Sequence, residues 1–161
     1  MRLPLALLIP LSGGCFFMDV AEPMIGSGAG DWLETGAVLR PRDELLQAAR
    51  EAAFRQGYRV PETETRPEGF TTDWITSYSS HWREGHRTRL QVEAVPAEPR
   101  GINVRIRSFR EFNDEARQPM VPEKAQWRGA ATDEKQKQKV NEPALRLRQV
   151  LKLKYFGIPN D

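Results

Sequence analysis

Residues 89–107 alternate twice between apolar and polar, and no other stretch constrains the fold as tightly. Leu90, Val92 and Ala94 interleave with Arg89, Gln91 and Glu93. After Pro96-Ala97-Glu98-Pro99-Arg100-Gly101, Ile102, Val104 and Ile106 interleave with Asn103, Arg105 and Arg107. A period of two sends successive side chains to opposite faces of a strand. Two such runs around a proline- and glycine-rich turn describe an antiparallel hairpin with one dry face and one wet face. The dry face must be covered by another layer.

Two segments have the spacing to cover it. Leu45, Leu46, Ala49, Ala52 and Ala53 recur at intervals of three and four, with Arg42, Glu44, Arg50, Glu51 and Arg55 in other directions. Pro41 suits a first helical turn and Gly57 a left-handed stop, so a helix is expected from Pro41 to Gln56. Its small alanines suit close packing on a sheet. A last helix is expected to open at Pro143, with Leu147, Val150, Leu151 and Tyr155 as its stripe, and to close before Gly157 and Pro159.

Between these helices, Tyr58-Arg59-Val60 reads as a short strand. Phe70, Thr72, Trp74, Thr76 and Tyr78 alternate with Thr71, Asp73, Ile75 and Ser77, which predicts one strand with an aromatic face. Residues 113–142 are polar, and their pattern fits either a short helix or a long excursion. The expected fold class is α+β: an antiparallel sheet of three to four strands with two helices packed on one face. No internal repeat is visible.

Lys and Arg number 24 against 22 Asp and Glu, with 39% hydrophobic and 29% charged residues. This profile is that of a folded globular domain, and a net charge of +2 argues against electrostatic binding to nucleic acid. Cys15 is the single cysteine, which excludes an internal disulfide and any multi-thiolate metal site. No cofactor is expected.

The position of that cysteine is informative. Met1-Arg2 carries one positive charge, Leu3 to Leu11 is a short apolar run interrupted by two prolines, and Ser12-Gly13-Gly14 are small. The run is shorter than the roughly 20 residues of a spanning helix and reads as the centre of an export signal. Charge, short apolar core, small residues and cysteine together resemble a bacterial lipoprotein signal peptide. Ser12 stands where that family usually has leucine, and Leu11 lies one residue further back. The resemblance implies cleavage before Cys15, diacylglycerol on its thiol and acylation of the new amino terminus. One chain anchors only reversibly, whereas two or more hold stably. Phe16, rather than aspartate, follows the cysteine. In similar lipoproteins that favours the outer membrane, with the domain facing the periplasm.

Expected organisation is therefore a signal peptide over 1–14, a tether over 15–38 containing Gly26-Ser27-Gly28-Ala29-Gly30, and a single α+β domain over 39–161. Twenty-odd flexible residues span about 25 Å.

Catalytic constellations are sparse. His81-Trp82-Arg83-Glu84-Gly85-His86 approaches the H-x-x-E-H pattern of inverted zinc proteases. Gly85, however, moves the second histidine to a spacing of five, about 100° further round a helix than the spacing of four requires. The chain lacks a G-x-S-x-G elbow, and its glycine cluster lacks the Lys-Ser or Lys-Thr of a phosphate loop. Asp114 and Glu115 are adjacent and expected to be solvated. Arg87, Arg89, Arg105 and Arg107, with Arg83 and Arg110, are candidates for the wet face and edge of the hairpin. They form either a partner or anion surface, or a solubilising face paired with Glu93, Glu98 and Glu111. Trp74 and Phe70 are expected in the core.

Gly69-Phe70-Thr71-Thr72-Asp73-Trp74, the run Arg87 to Val92 and the strand Ile102 to Arg107 resemble the domain of the lipoprotein component C of the outer-membrane β-barrel assembly machinery. That resemblance implies a helix-grip fold over about Leu39 to Tyr155. The family has two such domains, whereas one is expected here. The expected function is that of a non-catalytic, lipid-anchored envelope lipoprotein attached through Cys15, with a protein partner in the envelope. The alternative is a module that binds lipopolysaccharide or peptidoglycan through the arginine face.

Overall fold

The structure, a computed structural model, describes residues 28–79, 84–115, 120–129 and 134–156. In chain order its elements are β1 (Leu33–Val38), α1 (Arg42–Arg55), β2 (Thr65–Arg66), β3 (Gly69–Thr71), β4 (Ile75–Ser79), β5 (Glu84–Pro96), β6 (Ile102–Asn113), β7 (Trp127–Gly129) and α2 (Glu134–Phe156). The architecture is α+β, with a seven-stranded antiparallel sheet in place of the three to four strands expected.

The β5–β6 hairpin is its spine. Leu90 faces Ser108, Val92 faces Ile106 and Ala94 faces Val104. These side chains lie on the dry face and are buried together with Leu45, Ala49 and Ala53 of α1 and Ala144, Leu147 and Leu151 of α2. Both helices pack on β5 and β6 and on each other. Burial of a large aliphatic side chain contributes about 1.5–3 kcal/mol, so this shared cluster is the main force holding the layers together.

Helix α1 ends in a Schellman arrangement. The Tyr58 amide donates to the Ala53 carbonyl (3.1 Å) and the Gly57 amide to the Phe54 carbonyl (2.9 Å), with Gly57 at φ +89°. This turn drives Tyr58 into the core, where it is 5% exposed. Tyr58-Arg59-Val60 is consequently a connection and not the strand expected.

The single aromatic strand is also corrected. Thr71 faces Gln91, but Ile75 faces Thr88. Four steps along one chain thus match three along the other, which is one extra residue and so a bulge. Thr72 fills the gap: its amide donates to the Leu90 carbonyl (2.9 Å), and its hydroxyl accepts from the Leu90 amide (2.9 Å). A one-residue slip inverts every later side chain. Phe70 therefore enters the core at 3% exposure, whereas Trp74 leaves it for the opposite face.

Residues 28–38, expected in the tether, belong to the sheet. β1 pairs with β6, Ala29 bridges to Phe109, and the Gly30 amide donates to the Ser108 carbonyl (2.7 Å). Thr35 is buried, and its hydroxyl accepts from the Val104 amide (3.3 Å). The Asp31 amide donates to Asn141 Oδ1 (2.9 Å), tying this segment to α2.

Residues 113–142, which fitted two readings, supply β7 beside the end of β6 and the first part of α2. Pro143 lies inside α2 instead of opening it. It removes the N–H that would have bonded the Lys139 carbonyl. The buried Ser108 hydroxyl donates to the neighbouring Val140 carbonyl, anchoring this part of the helix to the sheet.

Candidate functional site

The face of the sheet away from the helices carries the odd-numbered residues of β5 and β6. Cross-strand register sets Arg87 against Glu111, Arg89 against Phe109, Gln91 against Arg107 and Glu93 against Arg105. The four arginines singled out in the sequence, Arg87, Arg89, Arg105 and Arg107, thus share one surface. Arg110, on an even position, lies on the helix side.

This face is not simply wet, because aromatic rings from four parts of the chain separate the guanidinium groups. Trp32 precedes β1, Trp74 follows the bulge, Phe109 is on β6 and Trp127 is on β7. Arg87 lies between Trp74 (4.5 Å) and Trp127 (4.7 Å). Arg89 lies between Trp74 (4.6 Å) and Phe109 (5.0 Å). Arg107 lies between Phe109 (5.0 Å) and Trp32 (4.5 Å), and Arg105 closes the series on Trp32 at 4.7 Å. The order is Trp127, Arg87, Trp74, Arg89, Phe109, Arg107, Trp32, Arg105: a ladder in which cation and ring alternate. Each contact is within the roughly 6 Å reach of a cation–π interaction, and each contributes about 0.5–1 kcal/mol where exposed. Tyr78 extends the aromatic end, with its ring 6.3 Å from that of Trp127.

Carboxylates neutralise the two ends. Arg87 Nε donates to Glu111 Oε2 (2.6 Å), and Arg105 Nε donates to Glu93 Oε2 (2.8 Å). The side chains of Arg87 and Glu111 are 26% and 22% exposed, so solvent screens them less than the 68% and 52% exposed Arg146 and Glu142. Glu98 takes no part. The middle of the ladder is different. Arg107 Nε donates to the neutral Gln91 (2.9 Å), and buried Arg89 Nε has no hydrogen-bond partner among the described residues. Of the four ladder arginines, Arg89 and Arg107 are therefore the two without a carboxylate among the described residues.

Trp74 was expected in the core and stands in this ladder, while Trp32, Phe109 and Trp127 drew no functional reading at all. A signal was present, since every cationic residue between 84 and 113 other than histidine is arginine, none lysine. Only the planar guanidinium stacks on a ring.

Cys15, His81, Trp82 and Arg83 lie outside the described residues, as do the leader and residues 15–27 of the expected tether. His86 is on β5, on the helix side. Among the described residues no three of His, Cys, Asp and Glu gather as metal ligands, and no helix is long and apolar enough to cross a membrane. No family model matches the sequence, and no curated protein matches it.

Proposed function

We propose that this chain is a non-catalytic, lipid-anchored lipoprotein of the cell envelope whose arginine–aromatic face docks a protein partner. The observation that carries the docking is the ladder itself. Tryptophan and arginine are the side chains most enriched at the energetic centres of interfaces, and here they are held rigid before any partner arrives. The partner's chemistry follows from the two uncommitted cations: it presents carboxylates to Arg89 and Arg107. Anchoring through Cys15 rests on the leader's likeness to a lipoprotein signal, and the outer membrane, with the domain facing the periplasm, on Phe16 after the cysteine. The helix-grip arrangement and the kinship with the β-barrel assembly lipoprotein belong to this reading, supported by two helices packed on one sheet face.

The absence of carboxylates from Arg89 and Arg107 among the described residues also favours a second occupant, the phosphates of lipopolysaccharide or an acidic group of peptidoglycan. Metabolic labelling with a tagged fatty acid followed by fractionation tests the anchor: label in the outer membrane that vanishes in Cys15→Ala supports it, and unlabelled protein overturns it. For the face, soluble Cys15→Ala protein is used as bait. An envelope protein captured by it, and lost when Arg89→Gln and Arg107→Gln are added, supports the first occupant. Retention on isolated cell wall or lipopolysaccharide without captured protein supports the second.

A further inference from the structure

On the helix side, opposite the ladder, a cleft of about 260 Å³ opens where the end of α1, the middle of α2 and the β5–β6 hairpin meet. Tyr58, His86, Thr88, Arg110, Glu142 and Arg146 line it. Arg110 is anomalous for its face, whose other β6 residues include the buried Val104 and Ile106. Its Nε is buried and has no hydrogen-bond partner among the described residues. Glu142, the carboxylate of this cleft, is already engaged by Arg146. Two guanidinium groups against one carboxylate leave one positive charge in excess. Between the turn after α1 and β5, Tyr58 Oη and Thr88 Oγ1 lie 3.2 Å apart. One hydroxyl donates to the other, so one O–H remains to be given to a third group.

We propose that this cleft binds the carboxylate of a small organic acid, with Arg110 as the anchor and the Tyr58–Thr88 pair as the second donor. A guanidinium presents its two Nη groups side by side, which matches the two oxygens of a carboxylate. One excess charge fits a monoanion, and the volume lies just under the roughly 300–1,000 Å³ of drug-sized pockets. The surroundings agree: burial lowers the pKa of Arg110 against the raising influence of Glu142, and burial raises that of Tyr58, which stays protonated and able to donate at neutral pH. This inference is independent of the lipid anchor and of the ladder.

The test is a titration of the isotope-labelled protein, followed by amide resonances, with benzoate, its neutral isostere benzamide and inorganic phosphate. Saturable shifts at Thr88, Arg110 and Gln56 with benzoate, at least about tenfold weaker with benzamide, are expected. Arg110→Gln should remove them, and Arg100→Gln, in the exposed hairpin turn, should not. Should Arg110→Gln fail to fold, Thr88→Val, which keeps the volume, should weaken benzoate several-fold. Absence of a saturable shift with benzoate, equal binding of benzamide, tighter binding of phosphate, or benzoate binding that survives folded Arg110→Gln or, where that variant does not fold, Thr88→Val, would overturn the proposal.

Discussion

Arg89 shows how much one side chain can carry. It lies between Trp74 and Phe109 and has no ion pair among the described residues, so its place depends on shape as much as on charge. Lysine keeps the charge and loses the flat face. Arg89→Lys is expected to cost about 1–2 kcal/mol, whereas Arg100→Lys in the turn should stay within about 0.5 kcal/mol. Urea midpoints of the two variants measure the difference, and equal midpoints would reduce the ladder to coincidence. Tyr58 carries a different kind of information. Burial raises its pKa, against the lowering effects of its Thr88 bond and of Arg146 and Arg110. A phenol whose pKa is higher folded than unfolded gives up its proton first in the unfolded chain. Stability is thus retained below about pH 10 and declines as the pH climbs from there toward the folded pKa. Tyr58→Phe should be slightly less stable near neutrality for want of the Thr88 bond, yet lose less on moving to alkali. Unfolding midpoints at neutral and alkaline pH report the slope.

At the scale of elements, the bulge between β3 and β4 decides which face the aromatics serve. Thr72 is buried, and its hydroxyl accepts the Leu90 amide proton. Thr72→Val keeps the shape and strands that buried N–H, an expected loss of about 1–3 kcal/mol, while Thr72→Ser retains the acceptor and should recover most of it. Thermal unfolding of the pair checks this. The same bulge marks the limit of what the sequence discloses. The hairpin and α1 were legible because their apolar residues repeat at periods of two and 3.6 over many residues. Thr72-Asp73 continues a plausible alternation, so nothing local reveals the slip that sends Phe70 and Trp74 to opposite faces. β1 was hidden for another reason. Leu33–Val38 buries only Thr35 fully, and its pairing is sustained by contacts such as the Gly36 amide to Asn103 Oδ1 (3.2 Å), whose partner is distant in sequence. The ladder was half legible: its arginines follow from alternation, whereas its rings come from positions 32, 74, 109 and 127, which only the folded sheet aligns.

For the whole molecule, the consequential question is where the folded unit starts. The far side of β6 is occupied along its length by β1, the Ala29 bridge and β7. Removing residues 28–38 would expose Ile102, Val104 and Ile106 along an open strand edge, which invites pairing with other chains. It would also unseat Leu33 and Val38 from the core and release α2 from Asp31. A chain beginning at Gly28 keeps all of these contacts. A chain beginning at Leu39 should lose several kcal/mol or aggregate, since it forfeits ladder bonds and buried apolar groups together. Comparable midpoints for the Gly28 and Leu39 chains would mean that β1 is an ornament on the sheet and that the domain starts at α1. The expected gap between them instead makes Trp32, and with it the Arg105–Arg107 end of the ladder, part of the same cooperative unit as the helix-covered core.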